Sequence, residues 1–256
     1  MELAANPRRD ARAPPTLRGP MAQDVSSFDA HKSILEVRRV PRTSYAEAHV
    51  LQETLVEQRL RGEIGDVLVL TEHEAVVTVG RGSEPSDVTG VTLPVVSVER
   101  GGEATYHGPG QLVAYPILAL PERRRDLHRY LRDLEDVVIR VLAEVEIEGS
   151  RRAGLTGVWI AERKVCSIGV AVRRWVTWHG LALNLSTDLG AFAQFRPCGL
   201  DAGVMTNVAL HTELPPTRLL YEVLLVKHFC AVFDMRLPPL PPPAAPDPLH
   251  LPLFPG

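Results

Sequence analysis

Apolar, β-branched runs alternate with helical stripes along the middle of this chain. Ile34 to Val40 reads as a strand. Ser44 with Glu47 three residues on forms a capping box, and the spacing predicts a helix from there to about Leu60. Asp66 to Leu70, Val76 to Val79 and Pro94 to Val98 are short apolar runs typical of buried strands, and Leu112 to Leu120 is a longer one. After Asp126, Leu127, Tyr130, Leu131, Leu134, Val137, Val138, Val141, Leu142 and Val145 recur at helical spacing and make one wide stripe. Gly157 to Ile160 and Val165 to Val172 read as a hairpin closed by Glu162-Arg163-Lys164, and Val176 to Leu185 adds a strand. A last helix runs from about Thr217 to Phe233 behind Pro215 and Pro216. Strands and a few long helices without regular βαβ repetition predict an α/β fold, an α+β-like mixed sheet with flanking helices.

The two ends differ from this middle. Residues 1–33 are rich in Ala, Arg, Pro and Ser with no apolar period, and read as a disordered leader, or as upstream sequence if translation starts at Met21. Residues 237–256 are dense in proline and read as an extended tail. A single domain over 34–236 is the expectation between them.

A formal charge of −3 over 256 residues gives no global case for nucleic acid. The arginines are nevertheless bunched, as Arg123-Arg124-Arg125, Arg151-Arg152 and Arg173-Arg174, so a solvated face or a patch for an acidic partner are both open. Cys166, Cys198 and Cys230 are odd in number, widely spaced and without a CxxC, which argues against a disulfide framework or a zinc cluster. No signal-peptide core or membrane-length apolar run is present, and the expected compartment is cytoplasmic, with reduced thiols.

Several chemistries lack support. There is no GxxxxGK[ST] loop, Gly108-Pro109-Gly110 does not continue to GxGxxG, His73-Glu74 lacks the second histidine of HExxH, and no GxSxG elbow occurs. Thiol chemistry remains. Cys198 lies in Phe195-Arg196-Pro197-Cys198-Gly199, a tight-turn setting suited to presenting a nucleophile. Lys164 and Cys166 are two apart on an expected strand, so they should share a face roughly 6–7 Å apart. Composition and spacing do not choose between Cys166 and Cys198. Cys230 falls on a hydrophobic helix face and reads as core. His73, His107 and His179 close expected strands near glycine-bearing turns, which points to a common pocket. The glycine-rich run from Arg100 to Gln111 reads as a loop hung between strands.

Together these residues resemble a known family. Arg100-Gly-Gly-x-x-Thr105-Tyr106-His107-x-Pro-Gly110-Gln111-x-x-x-Tyr115 is similar to the signature of the octanoyltransferases of lipoate biosynthesis. So are Leu-Thr-Glu-His73 with Val-Thr-Val-Gly80-Arg81, Gly154-Leu-Thr-Gly157-Val-Trp159, Lys164-x-x-x-Ile168-Gly169, His179-Gly180-x-Ala182-Leu-Asn184-Leu and Pro197-Cys198-Gly199, in the family's order over roughly 34–235. Val77 departs from it, standing where relatives often carry an aromatic. The resemblance implies a biotin/lipoate protein ligase-like catalytic fold and transfer of an octanoyl or lipoyl group from acyl carrier protein to a lysine of lipoyl domains. The acceptors implied are the lipoyl domains of 2-oxoacid dehydrogenases and the glycine cleavage H protein.

The resemblance also places the acyl-thioester nucleophile on Cys198 and its partner on Lys164, and demotes Cys166 to a pocket neighbour. It implies a substrate pocket from Arg100, Gly101, Gly102, Glu103, Ala104, Thr105, Tyr106 and His107, with Ser167, Ile168, Gly169, Gly180, Leu181 and Ala182; His73 and His179 are candidates for its wall. Thiolate attack on a thioester is nearly isoenergetic, so neither ATP, metal nor another cofactor is implied. An ATP-dependent lipoate or biotin ligase, an octanoyl amidotransferase and a non-catalytic carrier-protein-binding module are the competing expectations. Acidic protein substrates would further place one or more of Arg151, Arg152, Arg173 and Arg174 at the pocket mouth.

Overall fold

A strand whose successive residues are all apolar must be covered on both faces. Asp66–Thr71 (β2) is such a strand: Leu68 and Leu70 join one apolar core while Val67 and Val69 join another on the opposite face. It sits inside an eight-stranded mixed sheet seen in a computed structural model that describes residues 32–239. The other members are Ser33–Arg39 (β1), Gln111–Ile117 (β6), Gly149–Arg152 (β7), Leu155–Ile160 (β8), Arg163–Arg173 (β9), Val176–Asn184 (β10) and Met235–Arg236 (β11). Their order is β11-β1-β2-β6-β10-β9-β8-β7. β1 runs parallel to β11 and β2, and every other pairing is antiparallel. A smaller sheet of Val76–Val79 (β3), Val95–Ser97 (β4) and Thr105–His107 (β5) has the order β4-β3-β5.

Three helices supply the cover. Tyr45–Leu60 (α1) starts at the expected capping box, Ser44 accepting from the Glu47 N–H while the Glu47 carboxylate accepts from the Ser44 N–H. It buries Tyr45, Ala48, Gln52, Leu55 and Val56 on one stripe, and three of these, Ala48, Leu55 and Val56, join Val67, Val69 and Trp178 in one core. Leu127–Ala143 (α2), capped by Asp126, and Arg218–Phe233 (α3) pack on the other face through Leu134, Val138, Leu225 and Phe229. Asp234 closes α3 in the left-handed conformation at φ 57°. Cys230, on α3, packs against this core, and burial raises its thiol pKa.

The expected strands and helices are all present, but β4 is largely exposed rather than buried, and four further differences occur. β5, β7 and β11 add short strands, and the run from Arg100 to Gln111 is therefore part strand. Lys164 lies within β9 rather than in the hairpin turn, which is tighter and holds Ala161 at φ 49°. The leader, apart from its last two residues Lys32 and Ser33, and the tail beyond residue 239 lie outside the described residues.

Candidate active site

A cavity of about 400 Å³ opens on the face of β9 and β10, within the range of roughly 300–1,000 Å³ usual for small-molecule sites. Its floor is Ser167 to Val170 of β9 and His179 to Ala182 of β10; Arg100 to Glu103, Thr105 and His107 form one wall. Tyr45 and Tyr115 close the inner end, and Leu127 and Leu131 of α2, Gly154 to Thr156 and Leu200 complete the rim.

Lys164 reaches this cavity because β9 is irregular. Lys164 pairs with Trp159, but Cys166 pairs with Val158, so Val165 is an extra residue in the ladder. The bulge breaks the alternation that would have put residues 164 and 166 on one face. Lys164 lines the cavity at only 3% exposure, while Cys166 is fully buried in the apolar core. Their expected shared face is thus corrected. The Lys164 ammonium lies 5.8 Å from the Trp159 ring centroid, and its backbone carbonyl accepts from the Thr206 N–H at 2.9 Å.

The arginine of the glycine-rich run is structural in its contacts. Arg100, 7% exposed, donates to the Thr78 carbonyl and hydroxyl at 3.0 and 2.9 Å, and to the carbonyls of Glu103 and Gly101 at 2.9 and 3.1 Å. One guanidinium so ties the loop's two ends to β3, a task for a planar, multi-donor cation. Gly169 lets the loop approach β9: a β-carbon there would stand 2.9 Å from the Gly101 carbonyl oxygen.

Behind the wall lies a set of neutral histidines. His107 Nδ1 faces the Gln111 side-chain oxygen Oε1 at 2.8 Å. The Gln111 amide donates to Tyr106 and Asn184, and the Asn184 amide to the Thr206 carbonyl. This fixes Nδ1 of His107 as a donor and runs a chain of bonds to the segment that also pairs with Lys164. His73 Nδ1 donates to the Thr43 carbonyl at 3.2 Å, and its Nε2 accepts from the Tyr115 hydroxyl at 2.7 Å. Burial pushes the His73 pKa down to about 4 and that of His179 to about 3, and holds His107 well below the ordinary value. The Tyr45 phenol is raised to about 12 by the same burial. With burial outweighing the pull of Glu72 and Glu99, these rings stay neutral and suit an uncharged, apolar ligand portion.

Most residues expected in the pocket are brought together: Arg100 to Glu103, Thr105, His107, Ser167, Ile168, Gly169, His179, Gly180, Leu181 and Ala182 all line it. Ala104 and Tyr106 alternate away and pack with Val77 and Phe192 in the core of the small sheet. His73 sits one layer behind, against Tyr115. Cys198 lies in the 3₁₀ turn Pro197–Gly199, and its side chain is outside the described residues. That turn packs near β5; Gly199 stands next to Glu103, and Leu200 reaches the rim. Tyr45, Tyr115, Leu127, Leu131 and Leu200 were missed as pocket residues; only the capping box beside Tyr45 and the signature ending at Tyr115 hinted at two of them. None of Arg151, Arg152, Arg173 and Arg174 lines the cavity. Arg151 pairs with Glu135 and Asp136, Arg152 with Glu162, and Arg173 with Glu57.

Residues 44–229 match the lipoyl protein ligase A/B catalytic domain. The chain is 43% identical over 204 residues to an octanoyltransferase of Syntrophotalea carbinolica, covering 80% of this chain and 97% of that one. It is 48% identical over 200 residues to an octanoyltransferase of Rubrobacter xylanophilus, at 73% and 90% coverage. Among solved structures it superposes on lipoate-protein ligase A bound with ATP at a TM-score of 0.62 and 13% identity, covering 81% and 87% of the two chains. A bipartite lipoate protein ligase from Thermoplasma acidophilum gives 0.60 at 14% identity, with 81% and 86% covered. The last two establish the shared fold. With near full-length relatives above 40% identity and its glycine-rich loop folded around the cavity, this chain belongs to the octanoyltransferase family of acyltransferases, built on the lipoyl protein ligase A/B catalytic domain.

Proposed function

We propose that this enzyme moves an octanoyl group from acyl carrier protein to a lysine of a lipoyl domain through a thioester on Cys198, with Lys164 as the partner group. The supporting observation is a buried lysine held at the cavity by a strand bulge and stacked beside Trp159. In the first half-reaction the Cys198 thiolate attacks the octanoyl thioester carbonyl, the carbon–sulfur bond to the carrier breaks, and the carrier sulfur leaves as a thiol with the proton of the Lys164 cation, which becomes neutral. In the second, the acceptor lysine amine attacks the Cys198 thioester, an amide forms, and the cysteine sulfur departs. Lys164 serves both steps, as a cation beside the thiolate and, when neutral, as the base that takes the amine proton. Arg100 to Glu103, Thr105 and Ser167 to Gly169 bound the acyl chain, with His107 in the same wall and His179 in the floor.

No described helix is long and apolar enough to cross a membrane. Both substrates are proposed to be carrier proteins met in the cytoplasm. Incubation with octanoyl carrier protein followed by intact mass tests the reading. An octanoyl adduct lost in Cys198→Ser and kept in Cys166→Ser supports it. An adduct on Cys166, or activity only with ATP, overturns it.

A further inference from the structure

We infer that His49, Glu99 and His179 form a binding site for a divalent first-row cation of the zinc or nickel type, beside the acyl pocket. Three elements that are far apart in sequence converge there: α1 supplies His49, the segment after β4 supplies Glu99, and β10 supplies His179. The Glu99 carboxylate Oε2 lies 3.2 Å from His49 Nε2 and 4.0 Å from His179 Nε2, and a ligand atom from each residue falls within 4.8 Å of the others.

His49 Nε2 is within hydrogen-bond distance of the Glu99 carboxylate, but His179 is left out of that pairing. His179 is 1% exposed, and its Nε2 has no hydrogen-bond partner though it is aimed at Glu99. A buried polar nitrogen left unpartnered costs free energy unless something occupies its lone pair or takes its proton. Its Nδ1 stands 3.4 Å from the Tyr45 hydroxyl, which can accept the Nδ1 proton and leave Nε2 as the free lone pair. His49 repeats the pattern: Glu53, one turn along α1, lies 3.7 Å from its Nδ1. An oxygen behind the far ring nitrogen is the usual support of a metal-ligating imidazole. Two imidazoles and one carboxylate suit a tetrahedral ion with one open position, which solvent reaches past the half-exposed Glu99. With bonds of about 2.1 Å, ligand atoms in such a site stand roughly 3.4 Å apart, so one edge is near that length and the others close by rotation of Glu99 and His49, both partly exposed.

The place gives the site a consequence. Glu99 immediately precedes Arg100, and His179 lines the cavity. A bound ion would clip the start of the glycine-rich loop to α1 and β10 and stiffen the wall, without touching the reacting atoms.

The test uses the full chain as Cys198→Ser, so that the candidate reactive thiol takes no metal, stripped with chelator and titrated with Zn²⁺ or Co²⁺. Expected are saturable binding of one ion per chain, visible Co²⁺ bands without thiolate charge transfer, and a melting temperature that climbs with metal concentration. His49→Gln and Glu99→Gln should each weaken binding by about tenfold or more, and His228→Gln should leave it unchanged. Absence of saturable binding, thiolate bands in the Co²⁺ spectrum, or affinities unmoved in both His49→Gln and Glu99→Gln would overturn the assignment. None of these readouts depends on octanoyl transfer.

Discussion

A β-carbon on Gly157 would lie 2.6 Å from Lys164 Cε and 3.3 Å from its Nζ, so the lysine chain occupies the space that any other residue at position 157 would need. Gly157 also holds φ at +130°, and the same β-carbon would meet the Cys166 carbonyl oxygen at 2.5 Å. Gly157→Ala should therefore move Lys164 and strain β8, at a cost on the order of 1–3 kcal/mol. The measurable outcome is an octanoyl adduct that forms at least about tenfold more slowly, which is a barrier rise of about 1.4 kcal/mol. Adduct formation at the wild-type rate would show that Lys164 has no part in the first transfer.

Glu135 extends this relationship to α2. Its carboxylate is fully buried and accepts from the Gly157 N–H at 3.0 Å, from Arg132 at 2.6 Å and from Arg151 at 2.9 Å. Glu135→Gln removes the charge these arginines face and should destabilise the protein by about 1–3 kcal/mol. Its effect on turnover should fall on kcat more than on KM, because it loosens the strand under Lys164 rather than the pocket. Thermal melts with steady-state kinetics on the same samples distinguish the two.

Arg100→Lys tests the loop clamp. A lysine ammonium cannot span the two Thr78 oxygens and the Gly101 and Glu103 carbonyls, so buried acceptors lose their donors. Expected are a loss of roughly 2–3 kcal/mol in stability and a raised KM for the acyl donor. Limited proteolysis should cut within 100–104 in the variant and spare the native loop.

His73 predicts a pH dependence of stability. It is enclosed by Thr43, Tyr45, His107 and Tyr115, with Glu72 as the nearby carboxylate, and its pKa drops to about 4 on folding. The unfolded chain binds the proton near the ordinary value of about 6.5, so between these two values the unfolded state holds more protons. Its contribution is complete above pH 6.5 and is lost as pH falls toward 4, by as much as about 3 kcal/mol. Urea melts across this range should show the fall, and His73→Gln, which cannot protonate, should make it shallower by His73's share while those of His107 and His179 remain.

Much of the fold was legible in the chain. The all-apolar period of β2 demanded cover on both faces, the stripe after Asp126 demanded one sheet face, and Ser44 with Glu47 marked a helix start, because these depend on residues close in sequence. The signature residues also marked the cavity wall. Ala104 and Tyr106 show the limit: a contiguous motif cannot say which of its side chains a short strand turns inward, and β5 with the residue before it turns these two toward the small sheet's own core.

What the sequence determined by itself was the order of elements, the family and the identity of the candidate reacting residues. What the tertiary structure decided was which of them meet. The extra residue in β9 sends Lys164 to the cavity and Cys166 to the core, against the two-residue period of a regular strand. Arg151, Arg152 and Arg173 do not line the cavity and are held in ion pairs with Glu135, Glu162 and Glu57. His49, Glu99 and His179 are neighbours only after folding. In each case the deciding term is a cross-strand register or a contact between distant segments, and such contacts are set by the packing of the whole sheet rather than by local pattern.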